Sequence, residues 1–173
     1  FFIYGYLSNY HLTTTHYDVP FFDEDYEPVF AVLADLHCCR FGKDYKRLIE
    51  RIDEVKPDAV LIPGDMTIKH LYADDPKVLR VLKLVDELKK KYPLYYANGN
   101  HEIRMFDQEK YTEELKRAGV IYLDNTYADF SYKGDNDKHI RIYGLNLSLD
   151  HYRKRLNLDK SDLDTYLGKS PDD

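Results

Sequence analysis

Residues 29–34 form an unbroken apolar run with no alternation, which predicts a strand buried on both faces. A polar stretch over 35–44 follows. Tyr45, Leu48, Ile49, Ile52 and Val55 then recur at the spacing of one helix face, and Pro57 closes that helix. Residues 58–63 supply a second buried strand. Pro76 stands where a first helical residue should, and Val78, Leu79, Leu82, Val85 and Leu88, with Val81 and Leu84, predict an inner helix face running through Lys90. Residues 93–97 read as a third strand, 109–118 as a third helix closed by Gly119, and 120–123 as a fourth strand. Strand followed by helix three times over implies right-handed crossovers and a mainly parallel sheet. From Thr126 the pattern changes to alternation. Residues 127–132 and 139–144 flank Gly134-Asp135-Asn136-Asp137, a hairpin signature. The expected fold class is α/β, a mainly parallel βαβ half plus an antiparallel hairpin.

With 173 residues the chain is one domain's worth, or part of a larger domain. We divide it into an N-terminal arm, 1–28, and the domain portion, 29–173. The arm opens on Phe1-Phe2-Ile3 and is aromatic-rich. It reads equally as an ordinary ordered arm or as the remainder of a removed membrane anchor or signal segment. A formal charge of −6 argues against binding to a nucleic-acid backbone, which calls for surplus Lys and Arg. The adjacent Cys38 and Cys39 cannot make a disulfide framework and read as buried or half-buried free thiols. His11 and His16 precede the first strand and read as surface residues.

The informative chemistry lies just past three of the strands. The first is followed by Asp35-Leu36-His37, the second by Gly64-Asp65 and the third by Asn98-Gly99-Asn100-His101-Glu102. In a parallel sheet those ends share one edge, where such folds place their sites, so Asp35, His37, Asp65, Asn100 and His101 should converge. Hard oxygen with borderline nitrogen suits Mn, Fe or Zn. Gly64 and Gly99 each precede a candidate ligand at a strand exit where a Cβ would obstruct the turn or the approach of substrate. Taken singly, each polar residue reads as a cap or a turn; taken together they do not.

Asp35-x-His37, Gly64-Asp65 and Gly99-Asn100-His101-Glu102, in that order and spacing, resemble the calcineurin-like metallophosphoesterases, and the resemblance runs from about Val29 through Gly144. It implies an α/β/β/α sandwich, incomplete in this chain, and metal-dependent phosphoester hydrolysis by a dinuclear centre. By that resemblance Asp35 and His37 bind the first metal, Asp65 bridges both, and Asn100 binds the second through its carbonyl oxygen. His101 faces the substrate, stabilises the phosphoryl group and protonates the leaving oxygen, and Glu102 orients that imidazole. The cofactors implied are two divalent ions, Mn, Fe or Zn, and the substrate a phosphomonoester or phosphodiester. The aromatic lead-in and Asp-Leu-His resemble bacterial members that act near a membrane, so cytoplasmic and membrane-associated locations both stay open.

The family pattern continues with a His after a later strand and a Gly-His-x-His element, and this chain contains neither. His139 and His151 lack the strand-then-Gly context. Gly144-Leu145-Asn146-Leu147 reads as the strand before the family's second half, and residues 156–167 as the connecting helix and loop. The expectation is therefore an N-terminal portion that by itself holds one metal or none, with its own activity in question. Two other readings stand beside the enzyme: a binding or regulatory module that pairs with a partner chain, and a structural fragment that forms oligomers through an unpaired sheet edge.

Overall fold

A computed structural model describes residues 11–19, 27–132, 139–147 and 149 of the chain. Four parallel strands, β1 (Phe30–Val32), β2 (Ala59–Ile62), β3 (Leu94–Tyr96) and β4 (Ile121–Tyr122), lie in chain order. Helices α1 (Lys46–Val55), α2 (Pro76–Lys89) and α3 (Gln108–Arg117) connect them. The antiparallel pair β5 (Thr126–Ser131) and β6 (His139–Gly144) forms a second sheet.

Side-chain alternation along the strands sorts the molecule into layers. Val60, Ile62, Leu94 and Tyr96 point to one face and pack with Leu48 and Ile52 of α1, Val78, Val81, Leu84, Val85 and Leu88 of α2, and Tyr111 and Leu115 of α3. Ala59 and Tyr95 point the other way and meet Phe130 of β5, with Ala128 and Ile142 of the hairpin packed alongside. Helices, parallel sheet and hairpin are thus three successive layers, as a sandwich missing its fourth layer among the described residues requires.

Helix α2 anchors this arrangement. Its five buried side chains are each worth about 1.5–3 kcal/mol on burial. Its start is fixed by the Asp75 carboxylate, which accepts from the Lys77 N–H at 2.8 Å, with Pro76 in the first turn. Gly119 takes a left-handed φ of 82° just past α3 and ends it, as expected.

Four expectations need correction. The first strand is not buried on both faces: among the described residues β1 lies at the sheet's edge, and Val32 is 66% exposed. Tyr45 belongs to a 3₁₀ turn (Lys43–Tyr45) rather than to α1, because Asp44 and Tyr45 adopt left-handed backbone angles that a helix cannot continue. Leu79 is half exposed and lies outside the inner face of α2. Residues 145–147 are not a strand. Asn146 folds back instead, its N–H donating to Asn125 Oδ1 and its side-chain amide to Asp124 Oδ1. The hairpin turn, residues 156–167 and the first ten residues lie outside the described residues. His11 and His16 are exposed as expected.

Candidate metal centre

The exits of β1, β2 and β3 do converge on one edge. The parallel ladder continues beyond β1 and β2 as the N–H groups of Asp35, His37 and Cys38 donate to the carbonyls of Gly64, Asp65 and Met66 at 3.3, 3.0 and 2.9 Å. Those residues follow an unusual path. Asp35, His37, Cys38 and Asp65 all take left-handed φ, between 46° and 58°, and Gly64 takes 101°. For residues with a Cβ this costs on the order of 1–3 kcal/mol each, so the surroundings must hold them there. Strain of this kind concentrates where side chains are aimed at a shared point.

Gly64 and Gly99 allow the approach. A Cβ on Gly64 would run into the backbone of Gly99, and one on Gly99 into the carboxylate of Asp65. The β2 and β3 exits therefore meet at these two glycines; the sequence marked both as positions where a Cβ would obstruct, though for the turn or the substrate rather than for each other.

Glu102 ties the two exits together. Fully buried, its carboxyl oxygens accept from the N–H groups of Asp65 (2.8 Å), Thr67 (2.9 Å) and Gly99 (2.9 Å) and from the Thr67 hydroxyl (3.1 Å). Four donors from two loops converge on one side chain. This corrects the expected role of Glu102 as orienter of the His101 ring. The carboxyl group turns inward to the loops, and the His101 Nδ1 instead accepts the N–H of Lys69 at 3.2 Å. The signal for this was available only in part: a Glu directly after a ligand motif does not reveal which backbone donors it will meet.

Asp65 sits at the centre. Its Oδ1 accepts from the backbone N–H of His101 at 2.8 Å and its Oδ2 from the side-chain amide of Asn100 at 2.9 Å. With its nitrogen on Asp65, Asn100 keeps its carbonyl oxygen for another partner. Ligand atoms of His37, Asp65 and His101 all lie within 4.8 Å of one another, close enough to share a cation. The rings of His37 and His101 stand edge to face at 4.5 Å. Asp35 lies at the rim, with its Oδ1 3.6 Å from His37 Nε2 and its side chain 72% exposed.

The two imidazoles are held in opposite tautomers. His37 Nδ1 faces the carbonyl oxygen of Thr67 at 3.3 Å, so Nδ1 carries the proton and Nε2 offers a lone pair. His101 Nδ1 accepts from Lys69, so in the neutral ring the proton sits on Nε2. The first pattern is that of a metal ligand, the second that of a hydrogen-bond donor. Thr67 and Lys69, which set these tautomers, follow Asp65 by two and four residues and drew no notice in the sequence, because they act through backbone atoms that any residue possesses.

Of the two cysteines, Cys38 is buried and Cys39 exposed, and both are free, so only one matches the expected burial. Burial pushes the Cys38 thiol up to about 11, which leaves it protonated and a poor ligand. The donor set is therefore His, Asp and Asn, a combination that fits a divalent transition metal.

The sequence pattern of the calcineurin-like phosphoesterases matches residues 28–169. The chain is also 30% identical over 103 residues to a "Transmembrane protein with metallophosphoesterase domain" from Danio rerio, a stretch that is 57% of this chain and 22% of that protein. The present chain thus spans well under half the length of that relative. Strand exits that carry the ligands, glycines that let them meet, and a family pattern spanning most of the chain agree, and the chain belongs to the calcineurin-like phosphoesterases.

Proposed function

We propose that this chain supplies metal ligands and the substrate-facing histidine of a dinuclear phosphoester hydrolase. The observation that carries the reading is the convergence of His37, Asp65 and His101 within 4.8 Å at the C-terminal edge of a parallel sheet. Asp35, His37 and Asp65 would hold one divalent ion, and Asp65 and the carbonyl oxygen of Asn100 a second. Such ions neutralise phosphoryl oxygens and lower the pKa of bound water.

The remaining work falls to this chain's own groups. Asp65 keeps both oxygens fixed by accepting from Asn100 and the His101 backbone. Thr67 holds the His37 ring through Nδ1, leaving the Nε2 lone pair as the atom that would hold an ion, and Lys69 leaves the His101 proton on Nε2, from which it could stabilise the phosphoryl group and pass to the leaving oxygen. Glu102 keeps the two loops at the spacing these contacts need.

The test is hydrolysis of p-nitrophenyl phosphate and bis(p-nitrophenyl) phosphate with Mn²⁺. Asp65→Ala should abolish the activity, and His101→Asn should lower it by about 10² or more while the metal stays bound. Activity that survives in Asp65→Ala would sink the reading. The two esters compared in this assay decide which is preferred, and repeating it with Zn²⁺ and Fe²⁺ decides the metal.

A second reading rests on the edge of β1, which has no neighbouring strand on one side among the described residues and leaves Val32 exposed. It supports a further strand added there by a second copy of the chain, which sedimentation at rising concentration would detect. No described helix is long and apolar enough to cross a membrane. The zebrafish relative is a transmembrane protein, which supports placing the whole protein at a membrane, and membrane fractionation of the full-length protein would check that.

A further inference from the structure

Beyond the metal centre, the loop that carries His37 runs on through Cys39 and Arg40 to a second concave feature. A cleft of about 400 Å³ is lined by Arg40, Gly42, Lys43, Asp44, Tyr45 and Arg80. Its charge is lopsided. Three cations face one carboxylate, and that carboxylate, Asp44, already pairs with Lys83 outside the lining at 3.3 Å. The side chains of Arg40, Lys43 and Arg80 have no ion pair or hydrogen bond among the described residues.

Two polar atoms of the lining residues are also unmatched. The Tyr45 hydroxyl and the Arg80 Nε are both buried with no hydrogen-bond partner, and Tyr45 as a residue is only 2% exposed. A buried donor without a partner costs about 1–3 kcal/mol, and here two such donors occur in the lining of one cavity. Burial pushes the Tyr45 hydroxyl up to about 12, so it keeps its proton and can only donate to an anion. The backbone is committed to this shape, since Gly42, Asp44 and Tyr45 all have positive φ through the turn that brings Lys43 and Tyr45 beside α2.

We propose that this cleft is a second anion site, distinct from the metal centre, that binds the phosphoryl group of a small molecule. Arg40 and Arg80 supply forked donors suited to a tetrahedral oxyanion, Lys43 adds charge, and the unpartnered Tyr45 hydroxyl, a donor only, belongs to a residue of the same lining. The surplus of three cations favours a multiply charged oxyanion over a simple carboxylate. The phosphoryl group can come from free phosphate or from a substituent on a larger ligand, and the assay distinguishes the two.

Equilibrium dialysis of the full chain against radiolabelled inorganic phosphate, with and without a metal chelator, tests this. The expected result is one equivalent of phosphate retained in chelator. Arg80→Gln and Arg40→Gln should each weaken it roughly tenfold or more, and Tyr45→Phe less. Arg40 is exposed, so Arg40→Gln keeps the fold even if Arg80→Gln does not. Lys110→Gln, a cation outside the lining, should change nothing. Displacement by pyrophosphate or a sugar phosphate at lower concentration than phosphate would assign the site to a substituent, and equal or weaker displacement to the free ion. Absence of chelator-resistant binding, meaning a cleft that holds water only, overturns the proposal. So does binding that both arginine variants leave unchanged. Neither result bears on the metal centre, whose binding the chelator removes.

Discussion

The two halves of the metal centre are built to different standards. On the side of β2 and β3, Asp65, Asn100 and His101 are fixed by a buried carboxyl with four donors, by two facing glycines and by bonds to both oxygens of Asp65. On the side of β1, Asp35 is mostly exposed, the His37 ring has one hydrogen bond, at 3.3 Å, beside its edge contact with His101, and the strand behind them is a sheet edge among the described residues. Preorganisation is worth having only where a misplaced ligand would be costly. The difference implies that the Asp65 side is a folding element as well as a site, whereas the Asp35 side depends on what binds it.

The largest effect should come from closing the gap between the two glycines. Gly64→Ala places a Cβ against the Gly99 backbone at a φ of 101°. Neither loop can give way without losing a donor to Glu102. We expect a loss of about 3 kcal/mol or more, read by denaturant unfolding, and metal binding lost along with it. A stable Gly64→Ala chain would mean that the β2 and β3 exits do not pack as described, and the contrast between the two halves would vanish.

Next comes Glu102→Gln. An amide retains the shape and some acceptor capacity but presents an NH₂ to backbone N–H groups, so at least one buried donor loses its partner. About 2–3 kcal/mol should disappear on unfolding. Weaker metal binding should accompany it, because Asp65 and Gly99 share that carboxyl. If Glu102 instead oriented only the His101 ring, activity would fall and stability would not.

Much of this side was legible in the sequence. The strand runs, the crossovers, the hairpin and the two glycines follow from apolar spacing and from residues whose backbone needs are particular. The ligand cluster followed because parallel strands put their C-terminal ends on one edge. What stayed hidden were contacts made through backbone atoms. Thr67 fixes His37 with its carbonyl and Lys69 fixes His101 with its N–H, and neither side-chain type announces it. The exposure of β1 was hidden for a different reason, since an apolar run records composition and not whether a neighbouring strand exists. Tyr45 fitted a helical face by spacing, and the left-handed turn at Asp44 that moves it out of α1 has no marker except Gly42 before it.

The lightly held half should behave in the opposite way. Asp35→Asn should leave unfolding within about 0.5 kcal/mol of the parent, because its side chain is exposed and bonded to little. It should still weaken metal retention by roughly tenfold, measured by competition with a chromogenic chelator. A large loss of stability would show that Asp35 is part of the scaffold. The thiols offer a reagent-based version of the same comparison: Cys39 should react quickly with a thiol reagent, and Cys38, buried with its thiol raised to about 11, only on unfolding.

The smallest effect lies away from the site and calibrates the others. Asp53 accepts from Lys91 Nζ at 2.6 Å and from the Tyr92 hydroxyl at 2.7 Å. Burial alone would raise its pKa, but those two hydrogen bonds outweigh it and hold the carboxyl below its usual range. A carboxyl whose pKa is lowered by folding contributes stability that is present above its unfolded value, about 3.9, and lost as pH falls through the lower folded value. The group is about one-third exposed, so solvent screening limits the contribution to under about 1 kcal/mol. Asp53→Asn should therefore flatten part of the acid limb of stability against pH below about pH 4 and leave metal retention at neutral pH untouched. A change in metal binding in that variant would mean that the contact between α1 and the Lys91–Tyr92 loop reaches the site through the sheet, and the two halves of the centre would then be less independent than their contacts imply.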